Sequence, residues 1–105
     1  MRKRFIYLIQ NEDDLYIKIG IGVKPKTRVK TLTTGSTANL KIIYQKEVDF
    51  APKIETCLHR IFASKRRKGE WFDLSEDDIE MIDKEIVLCE KNFLFLEEQG
   101  NPFIK

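Results

Sequence analysis

Residues 4–21 run Arg4-Phe5-Ile6-Tyr7-Leu8-Ile9, then Gln10-Asn11-Glu12-Asp13-Asp14, then Leu15-Tyr16-Ile17-Lys18-Ile19-Gly20-Ile21. Two apolar runs rich in aromatic and β-branched residues flank a polar segment, and that pattern predicts a β-hairpin. Strands are expected at 4–9 and 15–21, with Asn11-Glu12-Asp13-Asp14 as the turn. Side chains alternate along a strand, so Leu15, Ile17, Ile19 and Ile21 share one face of the second strand. That face reads as core, and Tyr16, Lys18 and Gly20 point the other way. Phe5, Tyr7 and Ile9 share a face of the first strand. Whether that is the Lys18 face depends on register, because a slip of one residue reverses every side chain.

The rest of the chain arranges itself around this hairpin. Gly20 and Gly22 flank the exit from the second strand, where glycine lets a ligand or the next helix come close to the backbone. Pro25 suits a first helical turn, and a helix is expected over 25–33 with Gly35 as its stop. Its apolar stripe is Pro25, Val29 and Leu32, and Arg28 borders the packed side. Ser36 to Asn39 reads as a loop. A third strand is expected over 40–48; Ile43 breaks its alternation, which predicts partial burial of both faces. A second helix over 52–64 carries the stripe Ile54, Leu58, Ile61 and Phe62, with Glu55 and His59 four apart on its rim. Lys65-Arg66-Arg67-Lys68 reads as a basic loop and 70–74 as a short strand or extended segment. Ser75 then caps a long helix that has Glu76, Asp77 and Asp78 in its first turn, where the helix dipole favours anions. The apolar residues of that helix, Ile79, Ile82, Ile86, Cys89, Phe93 and Leu96, recur in steps of 3 and 4. Such a stripe packs on its own domain or on a second copy. Intramolecular packing, and so a monomer, is preferred over a homodimer, because a small sheet needs covering. The expected fold is α+β: a small three-stranded antiparallel sheet flanked by helices, as one domain over 1–105, with 75–98 an acidic C-terminal helix.

Composition agrees. A chain of 105 residues with 42% hydrophobic and 34% charged residues is a single domain able to bury a modest core. No apolar run approaches the roughly 20 residues that span a bilayer. Met1-Arg2-Lys3-Arg4 is basic, but no apolar stretch or small-residue cleavage site follows it, so a cytoplasmic or nuclear protein is expected, not a secreted one. Two cysteines, Cys57 and Cys89, fit a reducing compartment, with Cys57 on an apolar helix face. The net charge of +2 conceals a division. Residues 1–70 hold 16 Lys/Arg against 7 Asp/Glu, and residues 71–105 hold 3 against 10. A basic body with an acidic tail is the footprint of a phosphate binder, although solvated faces of opposite sign would look the same.

The ordered set Phe5-Ile6-Tyr7, Lys18-Ile19-Gly20, Arg28, Ile54-Glu55-Thr56-Cys57-Leu58-His59 and Gly69-Glu70-Trp71-Phe72 resembles the GIY-YIG nuclease superfamily. Within it, the likeness is to the small phage- and virus-type branch, in which lysine replaces the second tyrosine. The resemblance covers about 4–74. It implies an endonuclease that hydrolyses DNA, with Tyr7 and Lys18 on one sheet face. In the family the matching glutamate holds one divalent ion, which assigns Mg²⁺ or Mn²⁺ to Glu55. One carboxylate suffices for such ions because they keep most of their waters. On position alone, Glu55 reads equally as a surface glutamate paired with Lys53 or Arg60. Arg28 matches the arginine that contacts the scissile phosphate, a task its rigid fork suits. Tyr7 matches the tyrosine that positions or deprotonates the attacking water. A phenol titrates near 10, so a base role needs a neighbouring cation, which Lys18 could supply. Lys18, Tyr7 and His59 all stand as candidates for general base; His59, the only histidine, also reads as a structural group. Lys24, Lys26, Lys30, Lys65, Arg66, Arg67 and Lys68 are the expected DNA-backbone contacts. A binding module with little catalysis, and an interaction protein working through its C-terminal helix, are the alternatives.

Overall fold

A computed structural model describes residues 3–33 and 39–100. Gly35 and most of the expected 36–39 loop lie outside them. Among the described residues nine elements follow one another: β1 (Arg4–Asn11), β2 (Ile17–Gly22), α1 (Pro25–Thr33), β3 (Leu40–Val48), α2 (Ala51–Ile61), a 3-10 turn (Ala63–Lys65), β4 (Arg66–Lys68), β5 (Trp71–Phe72) and α3 (Glu76–Glu98). The class is α+β, but the sheet has five strands, not three, in the order β3-β1-β2-β5-β4. All its pairings are antiparallel. The two extra strands come from the expected basic loop and the extended segment after it. A run of Arg66-Arg67-Lys68 shows no alternation; it is a strand because its backbone pairs with Trp71 and Phe72.

The hairpin forms with Tyr7 opposite Gly20 and Ile9 opposite Lys18. Tyr7 therefore lies on the Lys18 face. The second strand begins two residues later than expected. Leu15 has φ 67°, a left-handed turn conformation, and is exposed. The turn is closed by the amide of Asn11 on the carbonyl of Tyr16 at 2.9 Å and by the amide of Leu15 on the carbonyl of Asn11 at 2.7 Å. Asp14 Oδ1 accepts from the amide of Tyr16 at 2.9 Å.

Ile6, Leu8, Ile17 and Ile19 form the other face and are fully buried against Ile54 and Leu58 of α2 and Ile82 and Ile86 of α3. Burying side chains of this size contributes about 1.5–3 kcal/mol each. Ile43 falls at a register break: Leu8 pairs with Tyr44 and Ile9 with Ile42, so Ile43 is the extra residue of a β-bulge. That explains the broken alternation. Ile61, expected on the apolar stripe of α2, is 45% exposed, because the helix ends there and Phe62 turns inward as its C-cap. Phe50 caps the other end in a left-handed conformation and is buried beside Phe93 of α3, ring centroids 5.8 Å apart. The α3 N-terminus is a capping box: Ser75 and Asp78 each accept from the other's amide. The stripe of α3 faces its own domain, with Ile82 and Ile86 in the core and Ile79, Cys89 and Phe93 packed against it. Cys57 and Cys89 are free thiols, and burial, then Cys57 itself, pushes Cys89 up to about 11. No helix among the described residues is long and apolar enough to cross a membrane.

Candidate active site

The Tyr7 ring lies flat over Gly20. A Cβ at residue 20 would fall 2.7 Å from Cε1, Cζ and Oη of that ring. The backbone of Gly20 needs no unusual dihedral, so glycine is there to make room, and what comes close is the chain's own tyrosine. Tyr7 is 1% exposed. Burial raises its phenol above the ordinary value, a hydrogen bond and positive charge from Arg28 oppose that, and Glu70 and Glu55 add to it. Arg28 of α1 is thus a cation acting on Tyr7, a part for which the sequence had offered Lys18. The balance leaves Tyr7 a phenol at neutral pH.

Lys18 is 7% exposed and its Nζ donates to Glu70 Oε2 at 2.5 Å. Its ammonium also lies 5.9 Å from the centroid of Trp71. A buried ammonium needs such a partner. Glu70 went without a role in the sequence, although it belongs to the quoted Gly69-Glu70-Trp71-Phe72; its partner is 52 residues away.

β5 is only two residues long, so it covers only part of the β2 edge. At Ile19 the amide donates to the carbonyl of Glu70 at 3.2 Å, and the carbonyl accepts from Nε2 of His59 at 3.0 Å. A carbonyl only accepts, so Nε2 carries the proton and, in the neutral ring, the lone pair sits on Nδ1. The imidazole also leans on Phe72, ring centroids 5.2 Å apart. Ligand atoms of Glu55, His59 and Glu70 lie within 4.8 Å of one another, all half-buried. Burial, then Glu70, raises the Glu55 carboxyl, while His59 and Lys18 lower it. The two carboxylates are oxygen donors of the kind a hard divalent ion retaining several waters takes, with the softer imidazole beside them.

The sheet face and the α2 rim therefore bring together Tyr7, Lys18, Arg28, Glu55 and His59, and add Glu70. A cavity of about 380 Å³, lined by Ile21, Gly22, Val23, Lys24, Thr27 and Arg28, adjoins them. Lys24 and Lys26 are exposed at the start of α1, and Lys30 near its end. The basic stretch 65–68 is less uniform than expected. Lys65 is held by Asp78 at 2.5 Å and Arg67 by Asp73 at 3.2 Å. Arg66 stacks on Phe72 at 5.3 Å. Arg66 and Lys68 are exposed.

The chain is a small α+β domain that sets cations beside a carboxylate–imidazole cluster, and its family match suggests a nuclease- or DNA-binding-type domain. The chain belongs to the family described as the T5orf172 domain, whose model it matches over residues 4–87. The match ends inside α3, which continues to Glu98. No curated protein and no solved structure matches the chain.

Proposed function

We propose that this chain is a metal-dependent endonuclease of the GIY-YIG type that hydrolyses phosphodiester bonds of DNA with Mg²⁺ or Mn²⁺. One observation carries the reading. Tyr7, Arg28, Lys18, Glu55 and His59, dispersed over more than 50 residues of sequence, gather around the β1–β2 pair. Arg28, Glu70 and Glu55 lie close enough to act on the Tyr7 phenol, which supports reading them together.

Glu55 would hold the divalent ion, which when bound would supply Lewis-acid charge to the phosphodiester. Arg28 takes a phosphate oxygen with its fork and spreads the charge that builds in the transition state. Tyr7, kept protonated by burial, orients the attacking water through its hydroxyl. Of the three candidates for general base, His59 is favoured: Tyr7 stays protonated and Lys18 is engaged as an ammonium. Nδ1 of His59 has the lone pair, and the Nε2 bond to Ile19 fixes the ring. Lys24, Lys26, Arg66 and Lys68 hold the flanking backbone.

The test is cleavage of labelled duplex, nicked, flapped and branched DNA with Mg²⁺ and Mn²⁺. Glu55→Gln should abolish metal-dependent cleavage while leaving folding and DNA affinity near wild type. Wild-type rates in that variant would remove the assignment. A binding module with little catalysis is the second reading, favoured by the engagement of Lys18 with Glu70. It predicts salt-sensitive DNA affinity and no metal-dependent product.

A further inference from the structure

Glu70 occupies an unusual position. Its backbone carbonyl is tied to the amide of Ile19, and the carbonyl of the same Ile19 holds His59. One residue of β2 thus fixes the placement of two potential ligands, and Glu55, one turn from His59 on α2, supplies the third. The three donors come from two separate segments of chain and are nevertheless set within 4.8 Å. Beside these two carboxylates Lys18 bonds to a single oxygen of Glu70. A monovalent ammonium balances one carboxylate; a divalent ion balances both.

We propose that Glu70 is a second carboxylate ligand of the divalent ion assigned to Glu55, and that Lys18 is its internal counter-ion, sharing Glu70 with the ion. The inference rests on the reading of Glu55 as a metal ligand. A carboxylate has two oxygens, so Glu70 is able to keep Lys18 on one and turn the other to the ion. Lys18 also lies 5.9 Å from the centroid of Trp71, so a weakened bond to Glu70 still leaves it beside the ring. The mere alternative is that Glu70 exists to neutralise a buried lysine. The two differ in what the ion feels.

Trp71, the only tryptophan, is the neighbour of Glu70, so its fluorescence reports the ion directly, with no DNA and no turnover. The intact chain is titrated with Mn²⁺, a paramagnetic short-range quencher, and the signal is reversed with Mg²⁺; calorimetry gives the affinity independently. Glu70→Gln is expected to raise the Mn²⁺ Kd by about tenfold or more, the scale on which groups supporting a metal site act. Glu55→Gln should do the same. Lys18→Met should tighten Mn²⁺ several-fold, because the competing charge is gone.

A wild-type Kd in Glu70→Gln, with Glu55→Gln weakened, overturns the role of Glu70 and leaves the one-carboxylate site standing. Wild-type values in both overturn the metal reading itself. An unchanged Kd in Lys18→Met rejects the shared carboxylate. Circular dichroism monitors folding. Should Glu70→Gln unfold by leaving Lys18 unpaired, Lys18→Met/Glu70→Gln removes both charges together. Its Mn²⁺ Kd, compared with that of Lys18→Met, then decides: weaker supports the proposal, equal overturns it.

Discussion

Replacing Gly20 by alanine adds one methyl group at the tightest point of the site. The new carbon would stand 2.7 Å from three atoms of the Tyr7 ring. Carbon atoms rest about 3.5–4.0 Å apart, so the ring must retreat by roughly 1 Å. Tyr7 is 1% exposed and cannot swing into solvent. Overpacking of this kind costs about 1–3 kcal/mol. Alanine in a strand recovers about 0.5–1 kcal/mol of glycine's entropy, leaving a net loss centred on ~1 kcal/mol and reaching about 2.5 kcal/mol. For a domain of this size each ~1 kcal/mol lowers Tm by roughly 4–8 °C. The larger effect is on chemistry: displacing a positioning group by about 1 Å lowers turnover by about 10²-fold. Thermal unfolding by circular dichroism and cleavage of labelled DNA measure the two. Gly22→Ala is the control, since its Cβ would meet the same ring at an ordinary 3.5 Å. In a Tyr7→Leu background the Gly20→Ala stability penalty should vanish, because the ring it collides with is gone. Wild-type Tm and wild-type rate in Gly20→Ala would refute the argument that glycine is there to seat Tyr7.

Arg28→Lys keeps the charge and loses the fork, so cleavage should fall by about 10²-fold; full activity would show that charge alone matters at that position. Arg66→Gln with Lys68→Gln should lower the slope of log DNA affinity against log salt by about two and leave Tm near wild type, whereas Lys65→Gln, which strands Asp78, should lower Tm; an unchanged slope would move the binding face elsewhere. Burial pushes Asp78 up, but bonds from Lys65 and Ser75 outweigh it and hold the carboxyl below its ordinary value of 3.8. Its stabilisation is therefore complete above that ordinary value and is lost as pH falls through the depressed folded one. Urea unfolding at a series of pH values should show wild type exceeding Asp78→Asn by about 1–2 kcal/mol near neutrality and the gap closing on acidification; a gap independent of pH would refute the linkage.

The hairpin and its faces were legible because a period of two needs only local reading: Ile17 and Ile19 went inside, and Lys18 went to the other face. The register that brings Tyr7 over Gly20 was implied only by resemblance, since nothing in either strand alone forbids a slip. β4 was not legible, because basic residues without alternation carry no strand signal until Trp71 and Phe72 arrive to pair with them. Leu15 misled for a related reason. Leucine gives no hint of a positive φ, and it takes one because the carboxylate of Asp14 and the backbone of Asn11 close the turn around it. Arg28, Glu55 and His59 were readable as an ordered set. Glu70 stood inside the quoted motif unassigned, because its meaning lies in Lys18 and Ile19, which its neighbours in sequence do not reveal.

The bonds that complete the site span 40 residues from His59 to Ile19 and 52 from Lys18 to Glu70. Contacts of such separation close long loops, an entropic cost that local pairing in the hairpin does not carry. On the ribosome the hairpin emerges first, carrying Tyr7 and Lys18 without their partners. Glu55, His59 and Glu70 follow, and the face they rest on is sealed only when Ile82 and Ile86 of α3 have been made. A half-made chain therefore holds a tyrosine and a lysine but no assembled carboxylate cluster. A site of the proposed kind would therefore be complete only in the finished domain.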